Sequence, residues 1–347
     1  MLERSTAFPG CTIDTDYLIP GQVLDGIPSI DEPVWDRAEF SMPEYLEPWT
    51  RVIGLILNRQ PYAIPHNVLW FHEIVNIGAG ALATAVTYCP LTGSSLAFSR
   101  TATGGGAFGV SGLLFQNNLV MFDREDPESR WSQMASGAIC GPDAGRTLEQ
   151  VPVIEMRWDE WLRLHPDTRV LAADQGFPSL RGAFATLSPY HGENYPYGAY
   201  EEVPAYFAAG AMPPIDPRRH PKERVIGVPP AGDDPGIAFP FGALSGGEAG
   251  LRAVDFTYDG RPAVLLWSDD AEGGMAYRPV TRSGTAVELA PGESGFVDAG
   301  TGSEWTVGGR AVSGPMSGQH LVPIERAYVA FWGAWAAFHP DTGLWGG

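Results

Sequence analysis

Trp158-Asp159-Glu160-Trp161-Leu162-Arg163-Leu164-His165-Pro166-Asp167-Thr168 is the stretch that decides the fold, because it occurs twice. Near the C-terminus stands Trp332-Gly333-Ala334-Trp335-Ala336-Ala337-Phe338-His339-Pro340-Asp341-Thr342. Trp158, Trp161 and Leu162 fall at i, i+3 and i+4, the apolar face of a short helix over 157–164. His165-Pro166 ends it, since a proline disfavours helical geometry in the residue before it. The match extends upstream: Ile139-Cys140-Gly141-Pro142 meets Val312-Ser313-Gly314-Pro315, and Val52-Ile53-Gly54 meets Val225-Ile226-Gly227. The offsets agree, since Gly141 to Gly314 is 173, Gly54 to Gly227 is 173 and Trp161 to Trp335 is 174. Self-similarity held at one offset over so many positions is the mark of an internal duplication.

Between these anchors the chain reads as short strands. Phe108–Phe115 and Leu119–Arg124 are apolar runs separated by Gln116-Asn117-Asn118, a hairpin signal. Arg130–Met134 and Ala138–Cys140 continue the meander, and Gly 43 with Pro 31 among 347 residues punctuate it throughout. The expectation is an α+β, β-rich fold: two homologous β-meander-plus-helix halves from the duplication, arranged about a pseudo-twofold axis. The division runs 1–50 as an extended N-terminal arm and 51–168 as the first repeat unit, which holds the candidate site. A linker with an aromatic loop follows over 169–224, then the second, degenerate unit over 225–347.

A formal net charge of −19 and a single lysine, Lys222, argue against binding a nucleic-acid backbone, which needs clustered cations. The one basic cluster, Arg218-Arg219-His220-Pro221-Lys222, reads as a solvated linker. No stretch approaches the ~18 apolar residues of a membrane helix. Met1-Leu2-Glu3-Arg4 lacks a basic segment followed by an apolar one. The expected location is therefore cytoplasmic as the chain stands, or exported if a leader was trimmed. The expected partner is a small-molecule substrate or ligand, with no nucleic acid and no membrane span. Cys11, Cys89 and Cys140 are too few for a disulfide framework and match no zinc-finger spacing, which leaves one Cys89–Cys140 bridge open but not expected.

The two copies differ at one chemically telling place. Ala85-Val86-Thr87-Tyr88-Cys89 lines up with Ala263-Val264-Leu265-Leu266-Trp267, and His72-Glu73 has no counterpart. A scaffold whose second copy drops a polar constellation does not need it for folding. His72–Val75 and Thr84–Cys89 read as two strands, so their hairpin would set His72 opposite the Tyr88–Cys89 end, ~5 Å across. A histidine there can draw the thiol to thiolate, or both can ligate a soft transition metal.

The leading expectation is a metal-dependent enzyme of oxidoreductase type acting on a small molecule at His72 and Cys89. One transition metal ion, copper first and zinc or iron next, would be held by His72, Cys89, His66 and His191. One alternative is a metal-free enzyme with Cys89 as nucleophile and His72 as base. The other is a non-catalytic small-molecule-binding module whose aromatic loop 188–200 holds the ligand while Cys89 is core. Glu73, Asp123 and Arg124 complete the catalytic candidates; Trp131, Gln133, Tyr190 and His191 are the substrate-binding ones. The plain reading beside these is that Cys89 is a core thiol, His72 satisfies a backbone group, and Asp123 and Arg124 pair with neighbours at a turn. His165 and His339, at equivalent places, read as structural.

His72-Glu73-Ile74-Val75-Asn76, Tyr88-Cys89-Pro90-Leu91-Thr92-Gly93-Ser94, Phe108-Gly109-Val110-Ser111-Gly112, Leu119-Val120-Met121-Phe122-Asp123-Arg124 and Trp131-Ser132-Gln133 resemble, in order, the domain-of-unknown-function family numbered 3179. The likeness runs from about Asp25 to Thr342. Many members of that family look like exported proteins with a lipoprotein-type start, which this chain lacks. Many also carry a second cysteine where Thr92 stands, so the resemblance does not extend to a two-thiol site.

Overall fold

A tryptophan seated on a glycine organises each half of the chain. The computed structural model describes residues 10–38, 43–176 and 188–346. Parts of the expected arm (1–9, 39–42) and linker (177–187), with residue 347, lie outside them. In the first half, strands Arg51–Leu57 and Gln60–Pro65 form a hairpin. Ile154–Arg157 pairs antiparallel with Arg51–Leu57, setting Ile154 opposite Gly54, and Arg169–Leu171 pairs parallel with Gln60–Pro65. The helix Trp158–Leu164 lays Trp161 on Gly54 so closely that a Cβ there would lie 2.2 Å from the ring. Trp161 Nε1 donates to Thr168 Oγ1 at 2.9 Å, and the His165 ring covers the indole with centroids 4.2 Å apart. Tryptophan, histidine and threonine of the repeated run are thus a plug, a cover and a latch.

The second half has the same connectivity. Arg224–Val228 pairs antiparallel with both Ile237–Pro240 and Tyr328–Phe331, Gly343–Leu344 pairs parallel with Ile237–Pro240, and Gly227 faces Tyr328. A Cβ on Gly227 would meet the Trp335 ring at 2.2 Å. Trp335 Nε1 donates to Thr342 Oγ1 at 3.1 Å, and His339 covers the indole at 4.2 Å. Overpacking of this kind costs about 1–3 kcal/mol or more. Gly54→Ala and Gly227→Ala are therefore each expected to destabilise by at least that much, and by similar amounts, in urea unfolding. A neutral result at either site would mean its tryptophan is not seated as described.

Each half also carries a meander that joins the other half. Ile74–Ile77, Thr84–Cys89 and Ser94–Ser99 are consecutive antiparallel strands, extended by Gln150–Val151. Leu251–Tyr258, Arg261–Ser268 and Gly273–Thr281, extended by Leu321–Pro323, are their counterpart. Ser95 pairs with Val329, which fuses the first meander and the second half's hairpin into one eight-stranded sheet. Across the junction Phe331 N–H donates to Thr92 O at 2.8 Å, and Arg157 N–H donates to Ala271 O at 2.9 Å. The protein is α+β and strongly β-rich, with a further sheet ordered Leu18–Pro20, Phe108–Phe115, Asn118–Asp123, Arg130–Ser132 and Gly137–Cys140. Its central hairpin turns on Gln116 and Asn117, both left-handed at φ 51° and 64°, as two-residue hairpin turns require. No helix among the described residues is long and apolar enough to cross a membrane.

Three expectations need correction here. The described part of 1–50 is woven into the first half rather than extended away from it: Leu18–Pro20 pairs with Phe108–Phe115, and Trp35–Arg37 with Arg169–Leu171. That course also settles the cysteines. Thr12 N–H donates to Ile139 O at 2.9 Å, which lays the arm along Gly137–Cys140, and Cys11 is disulfide-bonded to Cys140. Cys89, in another sheet, is a buried free thiol. Nor is Lys222 solvated. It is 5% exposed, its ammonium donates to Tyr200 O at 3.0 Å, and it sits 3.1 Å from the Tyr200 ring centroid, a cation–π contact.

Candidate functional site

The site is set by a helix that ends at His72, the residue expected to open a strand. Pro65 is extended and supplies a φ suited to a helix start, so His66–His72 coils, and the strand begins only at Ile74. Between them Glu73 takes the left-handed cap position at φ 55°, where glycine is usual. For a residue with a Cβ that conformation costs roughly 1 kcal/mol or more. The side chain it directs inward is 5% exposed. Burial pushes the carboxyl up to about 8, with no donor or cation among the described residues offsetting it. Glu73 is thus protonated at neutral pH.

His72 is buried and already committed. Its Nδ1 lies 2.7 Å from the Pro28 carbonyl, which can only accept, so Nδ1 carries the proton. Nε2 then accepts from the Tyr190 hydroxyl at 3.0 Å. Burial lowers the imidazole to about 4, against a smaller opposing push from the Pro28 bond. The aromatic loop therefore reaches the first half at His72. His191, beside Tyr190, is half-buried, and its backbone N–H donates to Ser188 O at 3.1 Å.

His72 and Cys89 do not face one another. Side chains along Thr84–Cys89 alternate. Val86 and Tyr88 enter the core shared with Tyr190, Val75 and Ile77, whereas Ala85 and Cys89 enter the one with Leu96, Phe98 and Phe108. The Cys89 thiol lies 3.8 Å from Asn117 O, and burial, with the nearby Glu73 carboxyl, raises it to about 12. A helix ending at His72, rather than a strand passing through it, sends the imidazole the other way. The carboxyl whose charge is felt at Cys89 is that of Glu73. Both act electrostatically on Tyr197, whose hydroxyl donates to Trp70 O at 3.3 Å. Trp70, Tyr195 and Tyr197 form a partly exposed aromatic cluster there, with ring centroids 4.7 and 5.6 Å apart in turn.

His66 belongs to a different cluster. Its ring stacks on Tyr88 at 4.1 Å, and its Nε2 is 3.4 Å from Glu155 Oε2. Among the described residues no group of three or more His, Cys, Asp or Glu is placed to hold a metal ion. The expected set of His72, Cys89, His66 and His191 is therefore not assembled.

The remaining candidates hold the scaffold. Arg124 forks onto Asp25 at 2.7 and 2.9 Å and pairs with Asp31 at 2.8 Å, pinning the 25–31 segment. Asp123 Oδ1 accepts from Glu125 N–H at 3.0 Å. Trp131 is fully buried, edge-on to Phe108. Gln133 is the hub of a buried polar network: Oε1 accepts from Ser94 Oγ at 2.6 Å and from Asn118 Nδ2 at 2.7 Å, and Nε2 donates to Thr87 Oγ1 at 2.9 Å. Asn118 also donates to Thr92 Oγ1 at 2.9 Å. Sequence reasoning passed over Asn118 because its place in a turn-like Asn-Asn pair hid an inward side chain.

The chain is matched over residues 24–342 by the model of a family described as a protein of unknown function, DUF3179, and it belongs to that family. No curated protein and no solved structure matches it.

Proposed function

We propose that this protein is a small-molecule-binding module whose first half takes a small organic cation at Glu73, beneath the aromatic loop. The observation that carries the reading is the Glu73 carboxyl, buried at a strained backbone position without a counter-charge among the described residues. A buried carboxyl without a partner is costly, and a cation would restore its ionised form. The rings of Trp70, Tyr195 and Tyr197 supply the faces that organic cations favour. Calorimetric titration with tetramethylammonium at pH 7 in buffers of differing ionisation enthalpy tests it. Binding is expected to release close to one proton per site, and Glu73→Gln to abolish both binding and release. Absence of saturable binding would sink the reading.

A second reading keeps the metal-dependent oxidoreductase, with the ligand set moved to Cys89 and Glu73. Its support is that burial raises both groups and the Glu73 charge is felt at Cys89, so one soft cation would relieve both. Zn(II) would then release up to two protons in the same titration, falling to one in Cys89→Ser.

We also infer that the halves descend from an internal duplication about a pseudo-twofold axis. The matched seats of Trp161 and Trp335 support this, as do the paired junction bonds at Thr92 and Ala271. The Cys11–Cys140 disulfide favours maturation in an oxidising compartment, and so the exported alternative.

A further inference from the structure

The duplicated cover histidines are not in equivalent circumstances. His339 Nε2 lies 3.1 Å from the Tyr328 hydroxyl, an ordinary structural bond. In the first half Ile154 stands where the second has Tyr328, each opposite its glycine, so His165 has no such partner among the described residues. It faces instead a cleft between the halves. Two adjoining cavities of about 380 and 450 Å³ share Ile56, His165, Gly308 and His320 as lining residues, making one continuous trough.

That trough collects positive charge in a chain of net charge −19. Arg310 is the bridge partner of His320, and Arg282 N–H donates to His320 O at 2.8 Å, so the two arginines flank that imidazole. Arg282 lines one cavity and Arg310 the other. Neither guanidinium forms an ion pair among the described residues, and the charge of each is felt at His320. The lining carboxylates are Glu304, which accepts from Ser313 Oγ at 3.0 Å, and Glu325. Arg163, also at the rim, is occupied by Glu160 at 2.7 Å. Ile56 and Val312 border the trough at 47% and 51% exposure, which leaves apolar surface beside the cations.

We propose that this cleft binds a small organic oxyanion, its charged head seated among Arg282, Arg310, His320 and His165 and its apolar body on Ile56 and Val312. Unpaired guanidinium groups with imidazoles beside them offer convergent donors to phosphate or carboxylate oxygens. The proposal is independent of the Glu73 reading, since no residue is shared.

The test is calorimetric titration of the full chain at low ionic strength with phenyl phosphate, benzoate and inorganic phosphate. Phenyl phosphate or benzoate is expected to bind at least tenfold more tightly than inorganic phosphate, and whichever binds better identifies the head group. Arg282→Gln with Arg310→Gln should weaken that binding at least tenfold. Arg59→Gln, an exposed arginine at the tip of the Arg51–Leu57 and Gln60–Pro65 hairpin, should leave it unchanged. Failure of both organic anions to saturate, or an equal loss in Arg59→Gln, would overturn the site.

Discussion

Glu73→Gln is expected to raise the stability of the protein by about 3 kcal/mol at pH 7, and by more at pH 8. Folding carries the carboxyl from an ordinary value of 4.5 to about 8, so over that interval the folded state holds a proton the unfolded chain has lost. A group raised in this way contributes fully below 4.5, and its contribution drains away as pH rises through 8, at about 1.4 kcal/mol per unit. Glutamine keeps the shape and removes the slope. Histidines govern the acid side. His72, His165 and His339 are each lowered to about 4 by burial, so the unfolded chain binds more protons below 6.5 and stability falls as the pH drops. For the fully buried His72 this amounts to about 3 kcal/mol between pH 6.5 and 4. The parent should therefore be most stable near pH 6.5, with losses on both sides. The Gln variant should lose only the acid limb. Urea unfolding at pH 5, 6.5 and 8 measures the difference, and parallel profiles would mean that Glu73 ionises freely in the folded state.

How much of this was legible in the sequence depended on whether the deciding contact was local. The Trp-x-x-Trp-x-x-x-His-Pro-Asp-Thr runs became helices with their tryptophans inside because plug, cover and latch lie within a dozen residues. The hairpin at Gln116-Asn117 was legible for the same reason. His72 was misplaced because Ile74, Val75 and Ile77 make a β-prone run, and nothing local says that a helix begun at Pro65 lasts to His72. Ending a helix rather than opening a strand turned the imidazole onto Tyr190 and away from Cys89. Cys11 was unreadable as the partner of Cys140 across a separation of 129 residues. Lys222 misled through its charged neighbours: Arg218 and Arg219 pair with Asp216 and Glu223 at the surface, while the lysine turns inward to Tyr200.

Glu155 is where the largest loss from a single charge is expected, and the reason is its place at the junction of the halves. It is 2% exposed, accepts from Arg51 Nε and Ser95 Oγ at 2.6 Å each, and has Arg224 Nε at 4.0 Å. Arg51 opens the first hairpin, Arg224 opens the second, and Ser95 is the residue that pairs with Val329 across the shared sheet. Gly273 lies so close that a Cβ there would come within 2.3 Å of the Glu155 carbonyl. Burial pushes this carboxyl up, but Arg51, His66 and Arg224 outweigh it and hold it well below its ordinary value. Removing one partner of a buried ion pair costs about 3–5 kcal/mol, chiefly through the charges left behind. Glu155→Gln strands Arg51 most, because the other carboxylate near it, Glu272, is 58% exposed at 3.7 Å. Arg224 keeps Glu201 at 2.8 Å, so the expected loss lies toward the lower end, about 3 kcal/mol at pH 7. A depressed carboxylate contributes above its unfolded value of 4.5 and loses that contribution as the pH falls. The gap between parent and variant should therefore narrow steadily below pH 4.5. Arg163→Gln, which breaks a pair whose arginine is 58% exposed, should cost under about 1 kcal/mol and serves as the reference. If Glu155→Gln costs no more than that reference, the junction is held by strand pairing and packing, and its charges are incidental.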